Sequence, residues 1–419
     1  MVTHTAARVG IPVLVATLAL SACGSRSNTG GSGGSGSGGS SSGSAGGGGA
    51  AKTATIGVIA PLSADLAPLG LGIQHSVELA VKQANDAKTI PGWTLKVAAK
   101  DDQATPSVGQ NAATSLAADN TVVGVVGTLN SSVAQSVQPV LSAAKIVEVS
   151  PSNTNPTLTK GADFLKAPKR AYPTYFRTCT TDAVQGPFAA RYLFQKSGVK
   201  KVATINDKKT YGQGLVAAFT TEYKKLGGQV VSAQTINPDD SNFSAVISKV
   251  KPTGPQAVYY GGEFPQAGPL SQQMKQAGLN VPLMGGDGIF DPKYIQLAGK
   301  NSTGDLATSV GAPTDKLPTA KKFVTDYQAA GYKDPYGAYG AYSYDAAQAI
   351  INALKTSLAS ATDAKSARQA TVDAMSKVSF DGVTGKVAFD QYGDSTTRIL
   401  TVYKVVGGAW SPVNTSEFK

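Results

Sequence analysis

Residues 54–60 read ATIGVIA, a continuous apolar run with the length of a buried strand. After this run, five apolar residues recur at the spacing of one helix face: Ile73, Val77, Ala80, Val81 and Ala84. A buried strand followed by an amphipathic helix is the repeating unit of a parallel sheet that helices cover on both faces. The stretch therefore predicts the α/β fold class.

The alternation of strand and helix continues to residue 149 and starts again near residue 201. The first series predicts strands at Leu95–Ala99, Thr121–Val126 and Ile146–Val149, and helices at Val108–Ala118 and Ser131–Ala143, the latter kinked at Pro139. The second series predicts strands at Lys201–Ile205, Gln229–Ala233, Gln256–Tyr260 and Val281–Met284, and helices at Gly214–Leu226, Phe243–Val250 and Pro269–Ala277. Residues 150–177 are predicted to be rich in loops. Later come helices at Asp345–Leu358 and Ala364–Met375, and closing strands at Thr384–Phe389 and Arg398–Val405. Two such series predict two doubly wound parallel-sheet lobes.

The N-terminal segment predicts where the protein is located. Residues 1–22 have the charged start and apolar middle of a signal peptide, and the apolar run Val9–Leu20 is too short to span a bilayer. Residues 20–24 read LSACG, which resembles the lipobox of bacterial lipoproteins and implies a lipid on Cys23. The alternative is an ordinary signal peptide that is cleaved after Ala22. Residues 23–51 are then a lipidated cysteine and a flexible Gly/Ser linker, so we expect an extracytoplasmic protein anchored to the cell membrane.

Composition argues against several classes of function. The formal net charge is +11, but the basic residues form scattered pairs without a nucleic-acid-binding motif, which predicts no nucleic-acid partner. Outside the signal peptide, the sequence contains one histidine, His75, which is expected on a helix surface. Besides Cys23 there is only Cys179, so no internal disulfide is predicted. We therefore expect no catalytic site, no metal and no cofactor.

Polar residues follow the predicted strands. The segments are GTLNSS (127–132), SPSNTNPTLT (150–159), NDKKTYGQG (206–214), GGEFPQ (261–266) and GGDGIF (285–290). Parallel sheets bind ligands at the carboxyl ends of their strands, and these segments are rich in hydroxyl, amide and acidic groups. They predict the capture of a small polar ligand without chemistry.

Ser131 lies where a predicted helix begins. A helix N-terminus attracts anions through its free N–H groups and its dipole, and the Ser131 hydroxyl can add a donor. Alternatively, Ser131 or Ser132 only caps its own helix. The spacing favours neither reading.

Four segments carry a family resemblance: DKKTYGQG (207–214), YYGGEFPQAGPLSQQMKQAGL (259–279), PLMGGDG (282–288) and SPSNTNPTLT (150–159). In this order they resemble the leucine/isoleucine/valine-binding proteins of ABC importers, which are type I periplasmic binding proteins. The similarity runs from about Thr53 to Val406. It implies a ligand cleft between two lobes, 52–180 plus 312–397 and 181–311 plus 398–419, with crossings near Thr180, Gly311 and Thr397.

The resemblance also implies the ligand contacts. By family position, Ser131 and Thr154 hold the α-carboxylate of an amino acid, and the backbone of Ser152 and the side chain of Asp287 hold its α-ammonium. Tyr211 packs on the ligand as the lobes close, and Tyr339 lies in the side-chain pocket.

The chain departs from the family pattern at several positions. The family's disulfide cysteines are here Ala104 and Asn130, the usual glutamate is the shorter Asp287, and two aromatic pocket positions are Leu69 and Glu263. Glu263 can point to solvent, pair with Lys208 or Lys209, or face a polar group of the ligand. The last case predicts a preference for polar over branched aliphatic amino acids.

These observations predict a monomeric solute-binding lipoprotein of an ABC importer that captures a small amino acid, of branched-chain type or more polar, by closing its lobes. It would then deliver the amino acid to the permease subunits. The alternatives are a receptor for amides, urea or another small polar solute, and a sensor that docks on a signalling receptor.

Overall fold

The computed structural model describes residues 51–419, which lie within one compact unit. The predicted signal peptide, Cys23 and the Gly/Ser linker up to Ala50 lie outside the described residues. Among residues 51–419, no helix is both long enough and apolar enough to cross a membrane.

The strands of the described chain are β1 (Lys52–Ala60), β2 (Trp93–Asp101), β3 (Val122–Gly127), β4 (Val147–Ser150), β5 (Tyr175–Arg177), β6 (Lys201–Asn206), β7 (Gln229–Thr235), β8 (Ala257–Gly261), β9 (Leu283–Gly285), β10 (Leu306–Val310), β11 (Ser379–Gly382), β12 (Gly385–Ala388), β13 (Ile399–Val406) and β14 (Ala409–Glu417). The α-helices are α1 (Ala67–Asp86), α2 (Pro106–Ala118), α3 (Ser131–Ala143), α4 (Thr157–Lys160), α5 (Asp182–Arg191), α6 (Thr210–Lys225), α7 (Ser244–Val250), α8 (Phe264–Gln276), α9 (Pro292–Ala298), α10 (Lys321–Ala329), α11 (Gly340–Ser357) and α12 (Arg368–Met375).

The first sheet has the order β2-β1-β3-β4-β5, and all its neighbouring strands are parallel. The apolar run in β1 is buried on both faces, as the sequence predicts. Ile56 and Val58 pack in the core that includes α1 and α11, whereas Ile59 points to the opposite face, against α2 and α3. Gly57 lies under Leu116, where a Cβ atom would come within 2.7 Å of the leucine side chain. The small residue in the run therefore lets α2 approach the sheet closely.

The second sheet has the order β14-β13-β10-β9-β8-β6-β7. The strands from β7 to β10 are parallel, while β13 and β14 are antiparallel additions at the other edge. On one face, Phe188 of α5 and Phe219 of α6 pack over the strands, and the Phe219 ring stacks on Tyr259 of β8. On the other face, Leu270 and Met274 of α8 belong to the larger core. Helices thus cover both faces, which confirms the predicted fold class.

Several elements differ from the sequence expectation. The region predicted as loop, residues 150–177, contains the short helix α4 and the edge strand β5. The strand predicted at residues 384–389 appears as β12, but it pairs with β11 in a separate hairpin and closes neither large sheet. The sequence did not predict α5, α10, β10 or β14. Helix α3 runs continuously through Pro139.

The chain passes between the sheets three times. Helices α11 and α12 contact β3 and β4 of the first sheet, although they follow the second sheet's β10 in sequence. The passages lie between β5 and β6, between β10 and α11, and between α12 and β13. The lobe boundaries given above fall in these intervals and stay predictions.

Candidate ligand-binding cleft

A small cavity lies where segments of the two lobes meet. Its lining residues are Leu69, Leu129, Asn130, Ser131, Ser152, Tyr211, Glu263, Asp287, Gly288 and Tyr339. Of the eight residues predicted to contact a ligand, Thr154 alone is not in the lining. Thr154 is fully buried, and its carbonyl oxygen accepts a hydrogen bond from the Asp182 backbone N–H at 2.8 Å. The structure therefore brings most of the predicted site together, whereas the roles of its residues stay predictions.

The topology explains why these residues meet. Asn130 and Ser131 follow β3, Ser152 follows β4, Glu263 follows β8 and Asp287 follows β9. Since these strands are parallel within their sheets, the residues lie at the carboxyl ends, where α/β proteins bind ligands.

Asp287 is buried at the second lobe's side of the cavity. Its Oδ1 accepts hydrogen bonds from the Tyr211 hydroxyl and from Gln185 Nε2, each at 2.8 Å, and its Oδ2 accepts one from the Tyr339 hydroxyl at 2.8 Å. Burial raises the pKa of Asp287, while the bonds from Gln185, Tyr211 and Tyr339 oppose that rise. A Cβ atom at Gly286 would lie 2.3 Å from the Tyr211 hydroxyl, so a glycine there allows the tyrosine to reach Asp287.

Ser131 is the first residue of α3, and its hydroxyl is buried without a hydrogen-bond partner among the described residues. The N-cap residue is Asn130, and no side chain makes a capping hydrogen bond to this helix. Neither Ser131 nor Ser132 is thus used as a cap. The uncapped helix end and the buried hydroxyl suit an anionic group in the cavity.

Glu263 is buried and is engaged on both of its oxygens. Oε1 accepts a hydrogen bond from Asn130 Nδ2 at 2.8 Å, and Oε2 lies 3.0 Å from Lys209 Nζ. Lys208 instead donates to Asn237. Of the three expected possibilities, pairing with Lys209 is realised, and Glu263 lines the cavity as well.

Comparison with known proteins identifies the family. Residues 53–409 match the family model described as "Periplasmic binding protein". The chain belongs to the periplasmic binding protein family. A curated relative of this periplasmic binding protein, "Leu/Ile/Val-binding protein homolog 1" of Brucella suis, is 33% identical over 354 residues, which cover 84% of this chain and 91% of the relative.

Two solved structures resemble this periplasmic binding protein. The leucine binding protein LivK of Thermotoga maritima has a TM-score of 0.77 and 25% identity, over 87% of this chain and 99% of the other. LivJ of Streptococcus pneumoniae, a branched-chain amino acid transporter substrate binding protein in complex with isoleucine, has a TM-score of 0.77 and 26% identity, over 87% and 100%. Both structures thus share the fold of this chain over nearly their whole length.

Direct hydrogen bonds join the two lobes of this periplasmic binding protein around the cavity. They include the Asn130–Glu263 and Tyr339–Asp287 bonds and a bond at 2.9 Å from the Thr210 hydroxyl to Gln135 Oε1. One partner in each pair follows or packs against the first sheet, and the other belongs to the second. The lobes are therefore in contact across the cleft.

Sequence reasoning missed two positioning residues, Gln185 and Arg177. Gln185 of α5 donates to Asp287 and accepts from the Asp287 backbone N–H and from Thr308. Arg177 of β5 donates to the carbonyl oxygens of Asn153 and Asn155. Arg177 lies within a region predicted as loop and Gln185 within an unpredicted helix, so no periodic pattern singles them out.

His75 and Cys179 are two further residues that the composition of the chain singles out. His75 is half-buried and stacks on Tyr332 with ring centroids 4.4 Å apart, so the expectation of a helix-surface residue is only partly met. Cys179 is a buried free thiol, and burial raises its pKa. In residues 51–419, no group of three or more His, Cys, Asp and Glu residues is arranged to hold a metal ion.

Proposed function

We propose that this periplasmic binding protein captures a small amino acid between its lobes, 52–180 plus 312–397 and 181–311 plus 398–419, and delivers it to the permease of an ABC importer. The observation that carries the proposal is that Asp287 and Ser131 line the same cavity. A buried carboxylate on one lobe and an uncapped helix N-terminus with a free hydroxyl on the other match the ammonium and carboxylate of an amino acid.

Asp287 is assigned to the α-ammonium. A carboxylate offers about four lone-pair sites, and three donors already occupy Asp287: two on Oδ1 and one on Oδ2. The remaining site on Oδ2 suits one N–H of an ammonium group. The positive charge would also offset the cost of burying the ionised carboxylate.

The other contacts follow the family positions. Ser131 is assigned to the α-carboxylate, with Thr154 as a second hydroxyl, and the Ser152 carbonyl is assigned to the ammonium. Leu69, Tyr339 and Glu263 are assigned to the ligand's side chain, and Tyr211 packs on the ligand as the lobes close. Ligand that bridges both lobes stabilises the closed state, which is the state a permease would recognise.

A melting-temperature screen of the purified full-length protein against single amino acids, amides and urea tests the proposal. A ligand at about 100 times its dissociation constant adds roughly 2.7 kcal/mol of stability, which is visible as a shift of a few degrees. We expect shifts with amino acids and none with their N-acetylated forms. Shifts with amides or urea alone would favour the alternative receptor on the same fold.

The proposal includes a monomeric protein that a lipid on Cys23 anchors to the outer face of the cell membrane. Cys23→Ser should abolish incorporation of labelled palmitate, because no thioether can form, and should release the protein or leave its precursor uncleaved. The matched control is Ser21→Ala, which keeps Cys23 and should stay labelled. Equal labelling of the wild type and Cys23→Ser would contradict the lipid anchor.

A further inference from the structure

Asn130 lies in the cleft, and its side-chain oxygen Oδ1 has no hydrogen-bond partner among the described residues. It follows β3, precedes the first turn of α3, is 4% exposed and lines the cavity. An asparagine at a helix N-cap ordinarily accepts a hydrogen bond from a backbone N–H of the first turn through Oδ1. In α3 no such capping bond forms.

The neighbouring carboxylate fixes the orientation of the Asn130 amide. Glu263 is buried and its Oε2 pairs with Lys209, so its Oε1 acts as an acceptor. A carboxylate acceptor requires a donor, so the amide must present its NH₂ group to Glu263. The amide oxygen Oδ1 then turns away from Glu263. It is buried and accepts no hydrogen bond from the described residues.

We infer that Asn130 is a specificity-determining residue whose Oδ1 accepts a hydrogen bond from a neutral donor on the ligand's side chain. The preferred ligand is then a small amino acid with a hydroxyl or carboxamide side chain, in place of leucine, isoleucine or valine. The inference rests on the proposed function, because it requires an amino acid in this cavity.

The charge and size of the cavity narrow the class of ligand side chain that it can accept. An acidic side chain would meet the carboxylate of Glu263, which lines the cavity. A cationic side chain would find the charge of that carboxylate already balanced by Lys209, whose Nζ lies 3.0 Å away, and would be buried without a counter-ion of its own. The cavity is small, which favours a short ligand side chain. Both oxygens of Glu263 already have a partner, so the atom that lacks a hydrogen-bond donor is Asn130 Oδ1.

Calorimetric titration of the full-length protein with two pairs of similarly shaped amino acids tests the inference. Threonine and valine differ by a hydroxyl in place of a methyl group, and asparagine and leucine differ by a carboxamide in place of an isobutyl end. Within at least one pair, the wild type should bind the polar member about tenfold or more tightly, because the apolar member leaves Oδ1 buried and unpaired. Asn130→Leu should remove or reverse that ratio.

The ratio within a pair is the readout because any effect of the substitution on folding or lobe closure acts on both members. Asn352→Leu on α11, outside the cavity lining, is the matched control and should keep the wild-type ratio. Should Asn130→Leu fail to fold, Asn130→Ala also removes Oδ1, and the wild-type ratios decide on their own.

Wild-type protein that binds valine and leucine as tightly as threonine and asparagine would overturn the inference. The proposed function would still stand if Asp287→Asn abolished that binding. Absence of binding by all four amino acids to a folded protein would also overturn the inference, and only absence of binding by every amino acid in the screen would contradict the proposed function.

Discussion

At the scale of single residues, the buried carboxyl group of Asp102 makes the stability of the folded protein depend on pH. The residue follows β2, and its Oδ1 accepts a hydrogen bond from the Ala104 backbone N–H at 2.8 Å. Its Oδ2 is buried without a partner among the described residues. Burial raises the pKa of Asp102 to about 7, the bond from Ala104 opposes the rise, and the charge of Asp101 adds to it. The folded protein therefore holds this proton more tightly than the unfolded chain, in which the carboxyl has its ordinary pKa of about 3.9.

From that difference, the free energy of unfolding should fall as the pH rises from about 4 to about 7, because the folded state binds more protons in this window. Asp102→Asn removes the titration. The free energy of unfolding of the variant minus that of the wild type should therefore be larger at pH 8 than at pH 4. Urea unfolding at pH 4, 6 and 8 measures this, with the exposed Asp163→Asn as the control. An identical pH dependence in wild type and Asp102→Asn would contradict the assignment.

At the scale of elements, β5 positions the loop that carries Ser152 and Thr154. Arg177 of β5 is completely buried and donates to the carbonyl oxygens of Asn153 and Asn155. Its charge is paired with Asp394 at 2.8 Å. The loop after β4 thus takes its shape from a neighbouring strand and from a segment distant in sequence.

We therefore predict that Arg177→Lys weakens amino-acid binding by about tenfold or more, because lysine keeps the charge but loses the fork that holds two carbonyl groups. Stability should fall by about 1–3 kcal/mol, the usual cost of unpaired buried acceptors. Calorimetry and urea unfolding give the two values. Arg191→Lys, at a partly exposed pair with Glu222, is the control and should change neither. A loss of stability with unchanged affinity would show that Arg177 does not position the loop.

Sequence patterns predict some strands and helices of this chain correctly and miss others. β1 is predictable because it is buried on both faces and therefore reads as an unbroken apolar run. α5 is missed because Gly186 and Pro187 lie inside it and usually mark loops. A Cβ atom at Gly186 would come within 2.6 Å of the Phe219 backbone nitrogen, so the glycine serves the close packing of α5 on α6. β14 is missed because it is a largely exposed edge strand with a proline.

At the scale of the whole molecule, the site depends on contacts that local patterns do not encode. Strand and helix periodicity places Ser131 and Asp287 each at the end of a strand, but only the family resemblance places them in one cleft. The hydrogen bonds from Asn130 to Glu263 and from Tyr339 to Asp287 arise from lobe contact, so they could not be predicted from the sequence. The same holds for Thr154, which the fold of its loop buries outside the cavity lining.

Asp287 is proposed to hold the ammonium of an amino acid in the closed cleft. Calorimetric titration of the purified full-length protein and its Asp287→Asn variant, with an amino acid found in the screen, tests the claim most directly. Loss of one partner from a buried ion pair costs about 3–5 kcal/mol, so affinity should fall by hundreds-fold or more. The exposed Asp363→Asn is the control and should bind as the wild type does. Unchanged affinity in a folded Asp287→Asn variant would contradict the role of Asp287 as the ammonium site.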